Sequence, residues 1–160
     1  VLAIAVARAC PRAQGVATET SRAALTVAAA NARALGVAER VAFEGADLWP
    51  HASPPFDVVV ANLPYVGTDE LADVAPDVLA WEPHRALFAG LDGLALCRRL
   101  AAEVGAHLRP EGAVGLEVGW RQAADVAVML RDGLPGHAVE VRADDAGIER
   151  FVVAVPAAGR

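Results

Sequence analysis

The sequence predicts an α/β fold of the doubly wound class, in which helices cover both faces of a mostly parallel sheet. Segments with a helical period alternate along the chain with short aliphatic runs, which is the order expected of βαβ units. Turn signals rich in Pro and Gly separate these segments, and no internal repeat or linker interrupts them. With 160 residues the chain is long enough to bury a core. We therefore expect one domain over residues 1–160.

Periodicity in the first half of the chain predicts two helices and three strands. The second helix has clear end signals, because Ser21 suits its N-cap and Gly36 suits its stop. The expected order is a helix at 1–9, a strand at 15–19, a helix at 21–36, a strand at 40–48 that runs into a loop, and a strand at 56–62.

The second half begins with an irregular segment and ends in an antiparallel hairpin. Residues 66–91 contain Pro and show no clear period. The expected elements after them are a helix at 92–108 closed by the turn signal RPEG, a strand at 112–119, a helix at 120–133, and a hairpin at 138–155. Antiparallel strands at the edge of a parallel sheet are common in this class of fold.

Composition and charge narrow the functional classes. The net charge is −6, the 14 basic residues are all Arg, and no basic block is present, which counts against tight binding to nucleic-acid phosphates. No apolar run reaches membrane-spanning length without a charge or a turn residue. Cys10 and Cys97 lie in apolar helical patterns, which predicts reduced core thiols in a cytoplasmic protein. The four His residues show no spacing typical of a metal site.

Polar side chains follow three aliphatic strands at the points where the strands end. They are Glu19, Asp47 and Asn62. Ligands of doubly wound sheets bind beyond the carboxyl ends of the strands, and an acid at such an end can accept hydrogen bonds from both hydroxyls of a ribose. Glu19 is also suited to the start of the next helix, and Asp47 to an ordinary turn. Together, in this order, the three residues outline a nucleotide-like site.

Four segments carry a resemblance to a known family. They are ANLPYV at 61–66, EPHRAL at 82–87, LEVGWRQ at 116–122, and the closing Asp-x-x-Gly-x-x-Arg at 144–150. They resemble the catalytic domain of the protein-(glutamine-N5) methyltransferases, which modify release factors, and the resemblance covers almost the whole chain. It implies a Rossmann-like methyltransferase sheet, S-adenosyl-L-methionine as the methyl donor, and a protein substrate, a peptide chain release factor with a glutamine in an accessible loop.

The resemblance also implies roles for individual residues. Glu19 takes the position of the acid that binds the cofactor ribose, and the adenine is held at Asp47 and Leu48. The target amide is held by a tetrapeptide whose first residue also borders the cofactor. The tetrapeptide consists of Asn62, Leu63, Pro64 and Tyr65.

Methylation of an amide explains why these residue types are needed. An amide nitrogen is a poor nucleophile because its lone pair is delocalised into the carbonyl. The Asn62 side-chain oxygen and the Leu63 carbonyl can each accept one N–H of the target NH₂, which orients the nitrogen towards the methyl donor. Catalysis is then mainly positioning and electrostatics. Tyr65 is expected to pack its ring against the flat amide.

The second position of the tetrapeptide departs from the usual Asn-Pro-Pro-Tyr of the family. Leu63 supplies the same carbonyl, and Pro64 restricts it to extended conformations. Asn-Leu-Pro-Tyr also resembles the motif of rRNA adenine dimethyltransferases, which hold an exocyclic amine in the same way. An adenine N6-methyltransferase acting on RNA or DNA is therefore an alternative, although the flanking segments resemble the glutamine family.

A methyltransferase of this class carries a glycine-rich loop after its first strand. Val1 falls in a predicted helix of the type that follows this loop. We therefore expect the first strand, the loop and the family's N-terminal substrate domain to be missing, so that two inner strand edges lack a neighbour. A remnant that serves only as a binding module is the other alternative.

Overall fold

The computed structural model describes residues 1–157 and, in that range, every side chain except that of Asp73. The chain forms two compact units, Val1–Pro54 and a second unit that begins at Pro55. Neither unit has a helix, within the described residues, that is long and apolar enough to cross a membrane.

The first unit contains two helices and a two-stranded parallel sheet. Its elements are α1 (Leu2–Ala9), β1 (Gly15–Thr18), α2 (Arg22–Ala34) and β2 (Val41–Glu44). Gly15 pairs with Val41 at one end of the sheet, and Thr18 pairs with Glu44 at the other. A small core joins the helices to the sheet, and its buried members are Ile4, Ala7, Ala32, Val37 and Val41.

The predicted ends of α2 are confirmed. Ser21 is the N-cap, and its hydroxyl accepts a hydrogen bond from the Ala24 N–H at 3.3 Å. Gly36 has a φ of +69°, the left-handed conformation that commonly ends a helix. Cys97 is buried as expected, but the expectation for Cys10 is wrong, because this residue follows the last turn of α1 and is exposed.

The second unit is built on a four-stranded sheet with the order β3-β4-β6-β5. The first two of these strands are parallel, and β6 runs antiparallel to both β4 and β5. The strands are β3 (Phe56–Asn62), β4 (Leu108–Glu117), β5 (His137–Ala143) and β6 (Glu149–Pro156). The predicted C-terminal hairpin is therefore confirmed.

Five helices belong to the described part of the second unit. They are a 3-10 helix (Thr68–Asp73), α3 (Pro76–Trp81), α4 (His84–Leu87), α5 (Ala95–His107) and α6 (Ala123–Gly133). The two longer helices, α5 and α6, pack on each other and on the sheet. Most of the buried core lies here, and its largest fully buried side chains are Leu116, Leu130, Val104, Val114, Val118, Val126, Val152 and Cys97.

Three local features differ from the expectations. The irregular segment 66–91 contains short helices, which are too brief to show a period. The turn signal RPEG lies within β4, because Phe56 pairs with Leu108 while Val58 pairs with Ala113, so four residues of β4 are left between the two pairs. Pro110 has no N–H to donate to a ladder, which suits this irregular stretch. Helix α6 begins three residues later than predicted, because residues 120–122 form a turn.

The strands form two separate sheets. Within residues 1–157, β1 is paired only with β2, and β3 is paired only with β4. Each of these two strands therefore has one edge without a strand neighbour among the described residues. The α/β class and the Rossmann-like order of its elements are confirmed.

Candidate functional site

In the first unit, Glu19 and the loop after β2 lie at the same edge of the sheet. The last pair of the parallel ladder is Thr18 with Glu44, so the residues that follow both strands leave at that edge. The Thr18 hydroxyl donates a hydrogen bond of 2.7 Å to the Leu48 carbonyl, which ties the loop to the end of β1. Leu48 has a φ of +65°, an uncommon conformation for a residue with a branched side chain. The structure therefore brings Glu19, Asp47 and Leu48 together.

Glu19 has a structural role in addition to any role in binding. Its Oε1 accepts a hydrogen bond of 2.8 Å from the Ser21 N–H, ahead of α2. This is the helix-start role that the sequence left open. Glu19 is exposed, and its Oε2 has no hydrogen-bond partner among the residues that the structure describes. The carboxylate can therefore still accept from a ligand.

The loop after β2 is closed by a contact between Glu44 and His51. The His51 N–H donates to the Glu44 carboxylate at 2.8 Å, and the His51 ring contacts the same oxygen. The backbone N–H of His51, more than its ring, holds the pKa of Glu44 below its usual value. Residues 45–50, which include Asp47 and Leu48, thus lie in a loop that is fastened at both ends.

In the second unit, Asn62 is the last residue of β3 and stands opposite Glu117, the last residue of β4. Paired residues of neighbouring strands point to the same face of a sheet, so the amide and the carboxylate share one face. Asn62 is exposed, and its side chain has no hydrogen-bond partner within residues 1–157. Sequence analysis did not single out Glu117, although its place at the end of the LEVG strand was a signal of the same kind as that of Asn62.

Tyr65 ends the tetrapeptide in a tightly packed position. A Cβ added to Gly119 would come within 3.0 Å of the Tyr65 ring, so the ring lies close over this glycine. The Tyr65 carbonyl accepts a hydrogen bond of 2.7 Å from the Gln122 side chain. The expected packing of the ring against a target amide is not tested by these contacts and stays a prediction.

The segment after the tetrapeptide is anchored by the EPHRAL segment and the residues that follow it. The Val66 N–H donates to the Leu87 carbonyl at 2.8 Å, and the Ala89 N–H donates to the Val66 carbonyl at 3.0 Å. Val66 also forms an isolated parallel bridge with Phe88. The EPHRAL segment therefore supports the backbone that leaves the tetrapeptide, and its Glu82 is exposed.

Gln122 is a second residue that sequence analysis missed. Its side chain is buried, with 8% of the residue exposed. The side-chain oxygen accepts from the Gly119 N–H at 3.0 Å, and the nitrogen donates to the carbonyls of Tyr65 and Asp92 at 2.7 and 3.3 Å. Gln122 was noted only as part of the LEVGWRQ segment, and no local pattern indicates contacts so distant along the chain.

Asp144 and Arg150 belong to the structure of the hairpin. The Asp144 carboxylate accepts from the N–H groups of Ala146 and Ile148 at 2.9 and 3.0 Å, and Gly147 has a φ of +79°. Arg150 lies 3.9 Å from the same carboxylate. In the described part of the chain, no three His, Cys, Asp or Glu side chains are grouped as a metal site would require.

Comparisons with known proteins agree with the resemblance carried by the motifs. No protein-family model matches the chain. The chain is 44% identical over 149 residues to the release factor glutamine methyltransferase of Cereibacter sphaeroides, a match that spans 92% of this chain and 53% of that protein. The same enzyme of Gloeobacter violaceus is 44% identical over 154 residues, with 95% of this chain and 54% of that protein covered.

A solved structure shows the same fold. The release factor-specific protein-(glutamine-N5) methyltransferase of Alicyclobacillus acidocaldarius superposes with a TM-score of 0.51 and 23% identity, over 98% of this chain and 90% of that structure. The chain spans about half the length of the curated relatives it matches. Over nearly its whole length, the chain is therefore related to part of the release factor glutamine methyltransferases.

Proposed function

We propose that this relative of the release factor glutamine methyltransferases transfers a methyl group to the side-chain amide nitrogen of a protein glutamine. The observation that carries the proposal is the state of the tetrapeptide at the end of β3. Its first side chain, that of Asn62, is exposed and has no partner among the described residues, while its last residue, Tyr65, is fixed by packing and by a hydrogen bond. One end is thus open to a ligand and the other is held.

S-adenosyl-L-methionine would supply the methyl group as an electrophilic sulfonium. The residues at the sheet edge of the first unit fit this cofactor chemically. The open Oε2 of Glu19 can accept hydrogen bonds from ribose hydroxyls, and Asp47 can accept from the amine of adenine. The hydrogen bond between Thr18 and the Leu48 carbonyl supports the proposal, because it keeps the adenine-side loop at the end of β1.

The target amide would be held by two acceptors of the tetrapeptide. The Asn62 side-chain oxygen accepts one N–H of the glutamine, and the Leu63 carbonyl accepts the other. These two hydrogen bonds orient the nitrogen lone pair and become stronger as the nitrogen gains positive charge during transfer. As the bond between nitrogen and the methyl carbon forms, the bond between that carbon and the sulfonium sulfur would break and leave a neutral thioether. The methylated nitrogen would then lose one N–H proton to water.

Pro64 and Tyr65 would set the shape of the pocket rather than take part in proton transfer. The Pro64 ring restricts Leu63 to extended backbone conformations, which aims the Leu63 carbonyl. Tyr65 offers a flat apolar wall, and its half-buried ring over Gly119 has little freedom to move. A planar amide is a suitable partner for such a wall.

The proposed substrate is a peptide chain release factor, which would place the reaction in the cytoplasm, where translation ends. The names of the relatives support this substrate. The net charge of −6 supports a protein over a nucleic acid, because neither a basic block nor an excess of Arg is available for phosphates. A second candidate substrate is the exocyclic amine of an adenine in RNA or DNA. The form Asn-Leu-Pro-Tyr is the observation that favours it.

The deciding experiment compares substrates of the full-length protein. Mass spectrometry would follow addition of a methyl group to a release factor, to the same factor with its loop glutamine changed to asparagine, and to ribosomal RNA. Methylation of only the unaltered factor is the expected result. Methylation of RNA alone would contradict the proposal and favour the adenine activity. No transfer to any substrate, with cofactor still bound, would indicate a binding remnant.

A further inference from the structure

We propose that Gln122 is a positioning residue for methyl transfer, because its buried carboxamide fixes the Tyr65 carbonyl and thereby the backbone that carries Asn62 and Leu63. The catalytic part of this inference rests on the proposed function. The structural part rests only on contacts within the second unit, and it can be tested without any methyl transfer.

Among the buried residues that the structure describes, Gln122 is the one with a polar side chain. A carboxamide has two N–H donors and one acceptor oxygen. The nitrogen of Gln122 donates to the Tyr65 and Asp92 carbonyls, and its oxygen accepts from the Gly119 N–H. All three partners are backbone atoms, so no partner can turn away to find another bond. A buried amide satisfied in this way is costly to remove or to rotate.

The glycines around the carboxamide show that the space is shaped for it. A Cβ on Gly93 would overlap the Tyr65 carbonyl oxygen and lie 2.7 Å from the Gln122 nitrogen. A Cβ on Gly119 would lie 2.7 Å from the Gln122 oxygen. Glycine is therefore required at both positions, and it lets three backbone segments approach the same side chain.

The position of Tyr65 determines the direction of the Leu63 carbonyl. Asn62 is fixed by its pairing with Glu117 at the end of the sheet. Only Leu63 and Pro64 stand between Asn62 and Tyr65, and proline fixes its own φ and limits the residue before it. With both ends of so short a segment held, the Leu63 carbonyl has little freedom. Loss of the bond from Gln122 would release one end.

Hydrogen exchange of the full-length protein tests the structural part. In Gln122→Ala, we expect the amides of Val66 and Thr68 to exchange about tenfold faster than in the wild type, since their bonds to Leu87 and Gly90 depend on the same backbone. The β3–β4 ladder should keep its protection. Gln14→Ala removes an exposed carboxamide from the first unit and is the matched control. Unchanged exchange at Val66 and Thr68, or an equal increase throughout the second unit, would overturn the inference.

Kinetics test the catalytic part with a release factor as substrate. Gln122→Ala should lower kcat by roughly tenfold to a hundredfold and leave the KM for the cofactor within about twofold, because positioning acts on the chemical step. A folded variant with wild-type kcat would contradict the inference. If the wild type itself transfers no methyl group to glutamine, the proposed function fails, and hydrogen exchange alone decides the role of Gln122.

Gln122→Glu adds a second kinetic measurement, the pH dependence of kcat, which a purely structural role of Gln122 would not change. An ionised carboxylate has no hydrogen to donate, so its oxygen would face the Tyr65 and Asp92 carbonyl oxygens without a hydrogen bond. The protonated acid can donate its O–H to one of them. Burial raises the pKa of such a carboxyl. Its kcat relative to that of the wild type should therefore rise as the pH falls from about 8 to about 6. A ratio that does not change over this range would count against the donor role of Gln122.

Discussion

Replacement of Asn62 by Ala should lower the rate of methyl transfer while leaving the stability of the fold nearly unchanged. Asn62 is exposed and its side chain contacts no hydrogen-bond partner within residues 1–157. Its removal should therefore change the free energy of unfolding by less than about 0.5 kcal/mol, as is usual for surface substitutions. A loss of activity in this variant cannot then be explained by loss of fold.

The expected loss of activity follows from the charge that develops on the substrate. The target nitrogen becomes positive as the methyl group arrives, so the hydrogen bond to the Asn62 oxygen is a bond to a charged group in the transition state. Such bonds contribute about 1.5–3 kcal/mol. The corresponding decrease in kcat is roughly 10- to 150-fold. Cofactor affinity should fall far less, because the residues proposed for the ribose and adenine remain.

The assay needs three measurements on the full-length protein. They are the single-turnover rate with a release factor, the affinity for S-adenosyl-L-methionine by calorimetry, and urea unfolding. Asn31→Ala is the matched control, since it removes the same carboxamide from an exposed site on α2. Methyl transfer at the wild-type rate by a folded Asn62→Ala protein would refute the role of Asn62 as an acceptor for the target amide.

Four further predictions follow from the two units. Leu63→Pro should retain or raise activity, since only the carbonyl is needed, and a folded but inactive variant would favour the adenine substrate. Glu19→Ala should weaken cofactor binding about tenfold or more in calorimetry, and an unchanged affinity would leave Glu19 only its hydrogen bond to the start of α2. The pKa of Asp92 is lowered from 3.8 to about 2, mainly by the hydrogen bond from Arg98 and to a smaller extent by the bond from the Leu94 N–H. The ionised carboxylate therefore stabilises the fold above pH 3.8, and this contribution is lost as the pH falls towards the lowered value. Urea unfolding should show less loss of stability over that interval in Arg98→Met than in the wild type, and equal losses would contradict the assignment. The 160-residue chain should self-associate in sedimentation through the open edge of β3, and Val60→Lys should reduce this association, whereas a monomer at all concentrations would contradict it.

The parts of the fold that could be predicted depend on neighbours in sequence. Ser21 and Gly36 mark the ends of α2 by the chemistry of a cap and of a left-handed residue, and both act within a few positions. Asn62 was recognisable because it stands where an aliphatic run stops. Helix α6 was extended too far because Trp120, Arg121 and Gln122 are all compatible with a helix. Arg121 instead has a φ of +72°, and an arginine in the sequence does not indicate that conformation, which glycine and asparagine favour.

The support of the site could not be predicted, because it joins residues distant along the chain. Gln122 contacts Tyr65 across 57 positions and Asp92 across 30. A glutamine before a helix is ordinarily a solvated residue, and only the close approach of Gly93 and Gly119 makes it a buried one. The two ends of the tetrapeptide thus have different origins. Asn62 is set by the register of β3 on β4, which the aliphatic pattern specifies. The position of Tyr65 depends on the side chain of Gln122, which reaches the Tyr65 carbonyl only in the folded chain. A substitution at Gln122 should therefore alter the site without changing any residue of the tetrapeptide.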